Sequence, residues 1–574
     1  MRASDQTPPN TTHKIWLLDQ QQLDEIVVME QSFGEKEEVE KPNDNNNGAL
    51  REGGAISLTS PEALALFSQY AGVGLVLGAL PALAYPVYNV YLQMEGYQVA
   101  SYSSLMRLPW SVKIFMGMFS DCFPIQGYRR RSYMLIGWIA CILSCGIMAA
   151  TAFPDPYYGL DRLQGLPLAN ISKDDQAKYI NLSAPQSGSL FIMLSTVATF
   201  GSVLVAVASD AMTVQYAQRE PIAVRGKIQT MIYIVRDSFR QIPAIIIGFA
   251  MNSPRYGGDY SWSISPNAIF GLLIAPALMG IVTASWFLVE HKVEIVSWRP
   301  YFRSLWYLIQ LRVMWQLCAY NFFSVMFMYV DETVSSPTLE LWVHADALNV
   351  QLFSVLGGLL APVTYALISK FALHWDWRSS IVISTFVWVA LRVVFQIPVV
   401  WNMIRNQYFV LFGQAVMDLP TNVSFLFPLY AAVEVADIGN EGVVYALLSS
   451  VGNLGYFFGP VLTKTIDSFF AVSRNDLRRD DTAVRSQATY CYIISYTVKI
   501  AALVLIVLLP RQKAHVQLLK RRGESSRVAG MAVVVVFILV LIYALIANCL
   551  SFFKQTYCYR IAGGAGLAGA DSCP

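Results

Sequence analysis

Charge is scarce in this chain. Only 14% of its 574 residues are Asp, Glu, Lys or Arg, against about 25% in a soluble domain. The net charge is +2, so no global field points to nucleic acid. The five histidines are scattered, and the eight cysteines form neither a metal-ligand spacing nor a disulfide framework. Cys141 and Cys145 sit in an apolar run and read as small buried hydrophobes. No phosphate-binding Gly-rich loop occurs, which argues against an ATP-driven pump. No catalytic constellation is visible, so an enzyme is not expected and no cofactor is implied. No cleavable leader is expected either. Residues 1–60 are polar and mostly acidic, as in Glu35-Lys36-Glu37-Glu38-Val39-Glu40. That composition predicts a disordered cytosolic tail.

What is abundant is apolar length. Hydrophobic residues make up 55% of the chain, and they gather into about twelve runs long enough to cross a bilayer. The pattern predicts an all-α polytopic membrane protein with the layout of a major facilitator, a helix count that other transporters and channels share. Two six-helix halves, 61–289 and 313–510, flank a charged cytosolic loop, 290–312. A basic linker, 511–527, leads to one more apolar run, 528–550, with no polar face. This run is expected to be a thirteenth span, with 551–574 as an outer tail.

Lys and Arg set the expected orientation. With the N-terminus in the cytosol, the inside loops hold Arg129, Arg130, Arg131, Arg219, Arg225, Lys227, Lys292, Arg299, Arg303, Arg312, Lys370 and Arg378, and the linker adds Arg511, Lys513, Lys520, Arg521, Arg522 and Arg527. One outer loop breaks the rule: Arg474, Arg478, Arg479 and Arg485, interleaved with Asp476, Asp480 and Asp481. The same orientation puts the sequons at Asn170 and Asn181 outside, as candidate glycosylation sites. The expected location is the plasma membrane or an endomembrane, with the bilayer itself as a partner and no obligate protein partner evident.

A few spans carry charges at mid-depth. Each costs about 2.5–3.5 kcal/mol there and must face protein or a watery cavity. The densest is the fifth, with Arg236, Asp237 and Arg240. Arg236 and Arg240 are i, i+4 and share a face. Two readings stand side by side: an Arg clamp for a carboxylate, whose geometry the guanidinium fork suits, and a structural ion pair. Arg392 in the ninth span is a lone cation with the same two readings. Asp418 in the tenth is a candidate proton carrier or an ion-pair partner. Arg107 in the second span is expected to snorkel toward the outer end. In the eleventh span Tyr445, Ser449 and Asn453 form a polar stripe, and Gly452, Gly455 and Gly459 suit close packing.

The most specific local signal lies between the second and third spans: Gly117, Asp121, Gly127, then Arg129-Arg130-Arg131. It resembles the major facilitator signature, a cytosolic latch whose carboxylate pairs with an Arg or a helix N-terminus in one conformation. Lys113, on the same side, is grouped with it. With Pro109-Trp110, Ser120, Pro124-Ile125, Tyr128 and Tyr133 this block is similar to the folate–biopterin transporter family. Ser209-Asp210-Ala211 with Arg219-Glu220-Pro221, Arg225-Gly226 and Gln229 forms a second block. Gly442, Tyr445-Ala446-Leu447-Leu448, Asn453 and Gly455, led by Glu441, form a third. The resemblance covers roughly 60–509. It implies a secondary carrier for folates, pterins or a related small molecule, with proton coupling as an option in which Asp418 and Glu441 are the candidate carriers. Transport of an unrelated nucleoside-like or amino-acid-derived metabolite, and a non-transporting receptor, are the alternatives.

Overall fold

In the computed structural model of the chain the described residues are 54–160, 163, 166, 170–217, 219, 227–290, 292, 298–371, 375–435, 441–566 and 573. The acidic tail up to residue 53 lies outside them. Among the described residues there are thirteen long helical segments and no strand. The first half comprises α1 (Pro61–Ala82, extended by a π-helical stretch, Ala84–Tyr91), α2 (Gly96–Ser111, resumed as Lys113–Cys122), α3 (Arg131–Ala150), α4 (Ser189–Ala217), α5 (Lys227–Ala250) and α6 (Ile274–Trp286, preceded by Pro266–Leu272). The second half comprises α7 (Arg312–Met328), α8 (Ala347–Phe371), α9 (Trp377–Val400), α10 (Gln407–Val435), α11 (Glu441–Asp467) and α12 (Thr482–Ala501, tightening into a 3-10 stretch, Ala502–Leu508). The apolar α13 (Arg527–Leu550) follows. Short helices, Trp298–Gln310, Ser335–Leu341, Arg474–Arg479 and Lys513–Arg522, lie in the connections.

Local chemistry explains where many of these begin. Ser60, Asp376, Asp481 and Ser526 each accept a hydrogen bond from the backbone N–H three residues on, and Pro61 opens α1. Glu95 and Gln98 form a capping box at the start of α2.

Seven helical stretches among the described residues are long and apolar enough to cross a membrane: those of α1, α3, α4, α6, α9, α12 and α13. The central cavity is lined by α2, α5, α7, α8, α10 and α11, together with parts of α1, α4, α9 and α12. A helix facing lipid on most of its girdle must be apolar, whereas a helix facing a wet cavity can hold charge.

Small residues bring the cavity-lining helices close. A Cβ on Gly74 would fall 2.4 Å from the Arg236 carbonyl oxygen, and one on Gly78 2.1 Å from that of Arg240, so α1 and α5 touch backbone to backbone. Gly455 and Gly459 meet the α7 carbonyls of Phe322 and Met326 in the same way, whereas Gly452 faces open space. The halves join along α2 with α11 and α5 with α8, and α13 packs on α11, α7 and α2. Lys464 of α11 is fully buried and donates to the Ala547 carbonyl (2.6 Å), Asn548 Oδ1 (3.1 Å), Ser551 Oγ (2.9 Å) and, in α2, Ser101 Oγ (2.9 Å). This pin ties α13 to both halves. A disulfide, Cys558–Cys573, closes the tail beside it.

Candidate substrate cavity and gates

A cavity of about 1310 Å³ lies between the halves. The fifth helix supplies Arg236, Asp237 and Arg240, as expected from its charges. Arg236 is held by its neighbour: Nε and Nη2 donate to the Asp237 carboxylate at 2.9 and 3.2 Å. Arg240 makes no hydrogen bond or ion pair with another described residue, and its side chain is exposed to the cavity. Across from it α10 contributes Asp418, whose carboxylate rests in a notch made by Gly357 of α8; a Cβ there would meet Oδ2 at 2.3 Å. Asn453 lines the same space and donates to the Trp110 carbonyl (3.2 Å). Tyr320, Tyr329, Tyr456 and Trp110 add aromatic faces, and Asn321, Ser324, Thr385, Thr421 and Ser449 add neutral donors and acceptors. The cavity can therefore offer an anion a fork-shaped cation and a planar ring an aromatic face with hydrogen bonds beside it.

Three residues sit elsewhere than their sequence grouping. Arg392 is buried on α9, ion-paired with Glu332, with its guanidinium 5.2 Å from the centre of the Trp388 ring. It does not line the cavity. Lys113, grouped with the latch, lines the cavity near Asp210. Arg107 does not snorkel but lies over the rings of Tyr329 (5.1 Å) and Tyr456 (5.9 Å), because its face of α2 turns toward α7 and α11. Glu441 opens α11, and its side chain is outside the described residues.

At the end carrying Arg129–Arg131, the basic end, Asp121 pairs with Arg130, which also donates to Ser120 Oγ (2.6 Å). The backbone N–H groups of Arg129, Arg130 and Arg131 all donate to the Glu290 carboxylate, at 2.8, 2.9 and 2.8 Å. Glu290 thus caps α3 from beyond α6. The turn needs left-handed backbone at Gln126 (φ 55°) and Gly127 (φ 86°). A Cβ on Gly117 would meet Val207 of α4 at 3.6 Å. All these contacts stay within the first half.

The other end is closed by bonds between the halves, which sequence reasoning did not identify as a gate. Arg474 of the short helix before α12 is buried. It pairs with Glu340 of its own half and reaches across to the first, donating to Gln93 Oε1 (2.9 Å), Asn89 Oδ1 (3.1 Å) and the Met94 carbonyl (3.2 Å), while its backbone N–H meets the Glu95 carboxylate (2.9 Å). Arg478 reaches Gln93 (2.6 Å) and Tyr158 Oη (2.9 Å). Tyr85 Oη donates to the Ala345 carbonyl (2.6 Å), Gln351 to that of Ala82 (3.1 Å), and the Leu348 N–H to Asn252 Oδ1 (3.1 Å). The signal was the loop that broke the positive-inside rule: two of its arginines are spent on the first half. Of the two sequons at this end, Asn170 is exposed, and Asn181 Oδ1 accepts from Ser183 (2.7 Å).

Two helical halves around a polar cavity, closed at one end by contacts between them, are the architecture of a major facilitator transporter. Among solved structures the chain is similar in fold to a D-xylose–proton symporter (TM-score 0.53, 12% identity, 77% of this chain and 96% of that one) and to the inward-open xylose transporter of E. coli (0.50, 13%, 81% and 100%). The chain belongs to the BT1 family, whose model matches residues 72–529. It is 24% identical to the folate-biopterin transporter of Synechocystis sp. over 413 residues, 68% of this chain and 72% of that one. It is 43% identical to folate transporter 1 of Plasmodium falciparum over 60 residues, which span 10% of this chain and 12% of the malarial one.

Proposed function

We propose that the protein is a secondary carrier that moves a folate, biopterin or related small metabolite by alternating access, with its basic end in the cytosol. The observation that carries the reading is the shared cavity: Arg240, without an ion-pair partner on α5, faces a space whose other wall holds Asp418, aromatic rings and neutral hydrogen-bonding groups. A folate carboxylate must be desolvated to cross, and a cation on the path offsets that cost. Asp237 holds Arg236 beside it while the site is empty. Membership of the BT1 family and the names of the cyanobacterial and malarial relatives support this substrate class. The orientation is supported by the excess of Lys and Arg at one end and by the disulfide and sequons at the other, since disulfides persist in oxidising compartments.

In this reading the closed lock of Arg474 and Glu340 on Asn89 and Gln93 of the first half marks an inward-facing state, and its opening exposes the cavity to the outside. The latch of Asp121 and Arg130 serves the opposite gate. Asp418 and Glu441 are the candidate proton carriers, with Asp418 lining the cavity.

Uptake into vesicles, with folate, biopterin, and nucleoside-like and amino-acid solutes offered in parallel, tests the proposal. Folate or biopterin uptake is expected, and Arg240→Lys should weaken uptake of the carboxylated substrate more than of a neutral pterin. Uptake of neither by the wild type would overturn the substrate class. Equal loss for both in Arg240→Lys would leave the cavity but remove the clamp.

A further inference from the structure

A second cavity lies away from the transport path. It is an apolar crevice of about 240 Å³ where α7, α11 and α13 meet. Trp315, Ala319 and Phe322 of α7 face Ala529, Ala532 and Val536 of α13 across it. Both sets recur at helical spacing, so one face of each helix is committed to the gap rather than closed on its neighbour. The lining is almost wholly apolar, and such a space excludes water and accepts hydrocarbon.

Two further observations say what kind of hydrocarbon. Trp315 Nε1 is buried and has no hydrogen-bond partner among the described residues. A buried donor left open marks a missing acceptor. One turn nearer the basic end, three residues before Trp315 and on the same face of α7, stands Arg312. It pairs with Glu524, and both side chains are partly exposed. The chain here is stitched tightly: the Arg312 N–H donates to the Glu524 carbonyl (2.8 Å) and the Ser526 N–H to that of Gln310 (2.8 Å). Arg521, Arg522 and Arg527 are exposed around the base of α13, so one carboxylate faces a clear cationic excess at the crevice mouth.

We propose that this crevice binds an anionic phospholipid of the leaflet at the basic end. One acyl chain lies between α7 and α13, an ester or phosphate oxygen accepts from Trp315 Nε1, and the headgroup rests on Arg312 and the arginines at the base of α13. Charge selects the headgroup. Phosphatidylcholine brings its own cation and gains little from such a mouth, whereas phosphatidylserine carries net negative charge. The bound lipid braces the α7–α11 pair, which packs through Gly455 and Gly459 and walls the transport cavity.

The purified full chain, equilibrated with equal amounts of phosphatidylserine and phosphatidylcholine of the same acyl chains, is examined by native mass spectrometry. The wild type should retain phosphatidylserine over phosphatidylcholine by about tenfold. Arg312→Gln should bring the two close to equal. Ala532→Phe should fill the crevice and strip the bound lipid. Trp315→Phe keeps the shape, removes only the donor and should lower occupancy several-fold, which serves where Ala532→Phe fails to fold. Equal retention of the two lipids by the wild type would overturn the proposal. So would phosphatidylserine retention untouched by both Ala532→Phe and Trp315→Phe, or displacement of the lipid by inorganic phosphate alone, which would mean a headgroup site that no acyl chain enters.

Discussion

Removing the carboxylate of Glu340 should unlock the end of the bundle opposite the basic loops. The side chain of Arg474 is 2% exposed and that of Glu340 10%, so their ion pair is shielded from water. The other side-chain partners of Arg474, on Gln93, Asn89 and Met94, are neutral. Glu340→Gln therefore leaves a buried guanidinium with uncharged acceptors. Breaking a buried pair from one side costs about 3–5 kcal/mol. The Glu95 carboxylate at the Arg474 backbone N–H supplies some compensating charge, so the lower range, about 2–3 kcal/mol, is the expected effect. Arg474 and Glu340 both belong to the second half, but Glu340 also accepts from Asn89 Nδ2 (3.0 Å) and from Gln93 of the first half. The cost therefore falls on the closed state, in which these groups are buried together, and separating the halves returns Arg474 to solvent. The ratio of closed to open forms should drop roughly 30- to 150-fold. A cysteine engineered at Ser354, which lines the cavity on α8, reports the opening through its reaction with a membrane-impermeant maleimide added outside intact cells. Its labelling rate should rise at least about tenfold in Glu340→Gln. Asp480→Asn is the control, because Asp480 pairs with Arg405 (2.6 Å) and Arg485 (3.0 Å) and, unlike Glu340, bonds to no described residue of the first half. An unchanged rate in a folded Glu340→Gln protein, or an equal rise in Asp480→Asn, would refute the lock.

Gly78→Ala should force α1 and α5 apart, since the new Cβ meets the Arg240 carbonyl at 2.1 Å; a cost of about 1–3 kcal/mol and a severe loss of uptake are expected, whereas Gly452→Ala enters open space and should melt and transport as the wild type does. Asp121→Asn removes the partner of Arg130 while keeping its shape, so uptake should fall much more than surface expression; wild-type uptake would reduce the loop to a topology signal. His515, in the helix after α12, has its pKa lowered to about 4, first by burial and then by Arg378, Arg511, Arg522 and Arg312. Its neutral form is the folded one, so its contribution is complete above about pH 6.5 and declines as the pH falls toward 4, by about 2 kcal/mol at pH 5. Melting at pH 5 and 7.5 should show that loss, and His515→Gln should flatten it.

The sequence by itself determined the class of this protein and the length of its helices. Apolar runs and their caps are local: Ser526 and the residues after it make α13 wherever it docks, and three charges in one span turn Arg236, Asp237 and Arg240 inward because lipid is the costlier choice. The pairing of Asp121 with an arginine of the following loop was legible for the same reason, since Asp121 and Arg130 are nine apart on one tight turn. What only the tertiary structure decided is which distant groups meet. Arg474 finds Glu340 134 residues away, Arg392 finds Glu332 across 60, and Arg107 covers rings from α7 and α11. Each of these depends on how distant helices and the connections between them pack in three dimensions. Spacing within one helix names the residues that share a face, but the face that meets a partner is chosen only when the bundle packs.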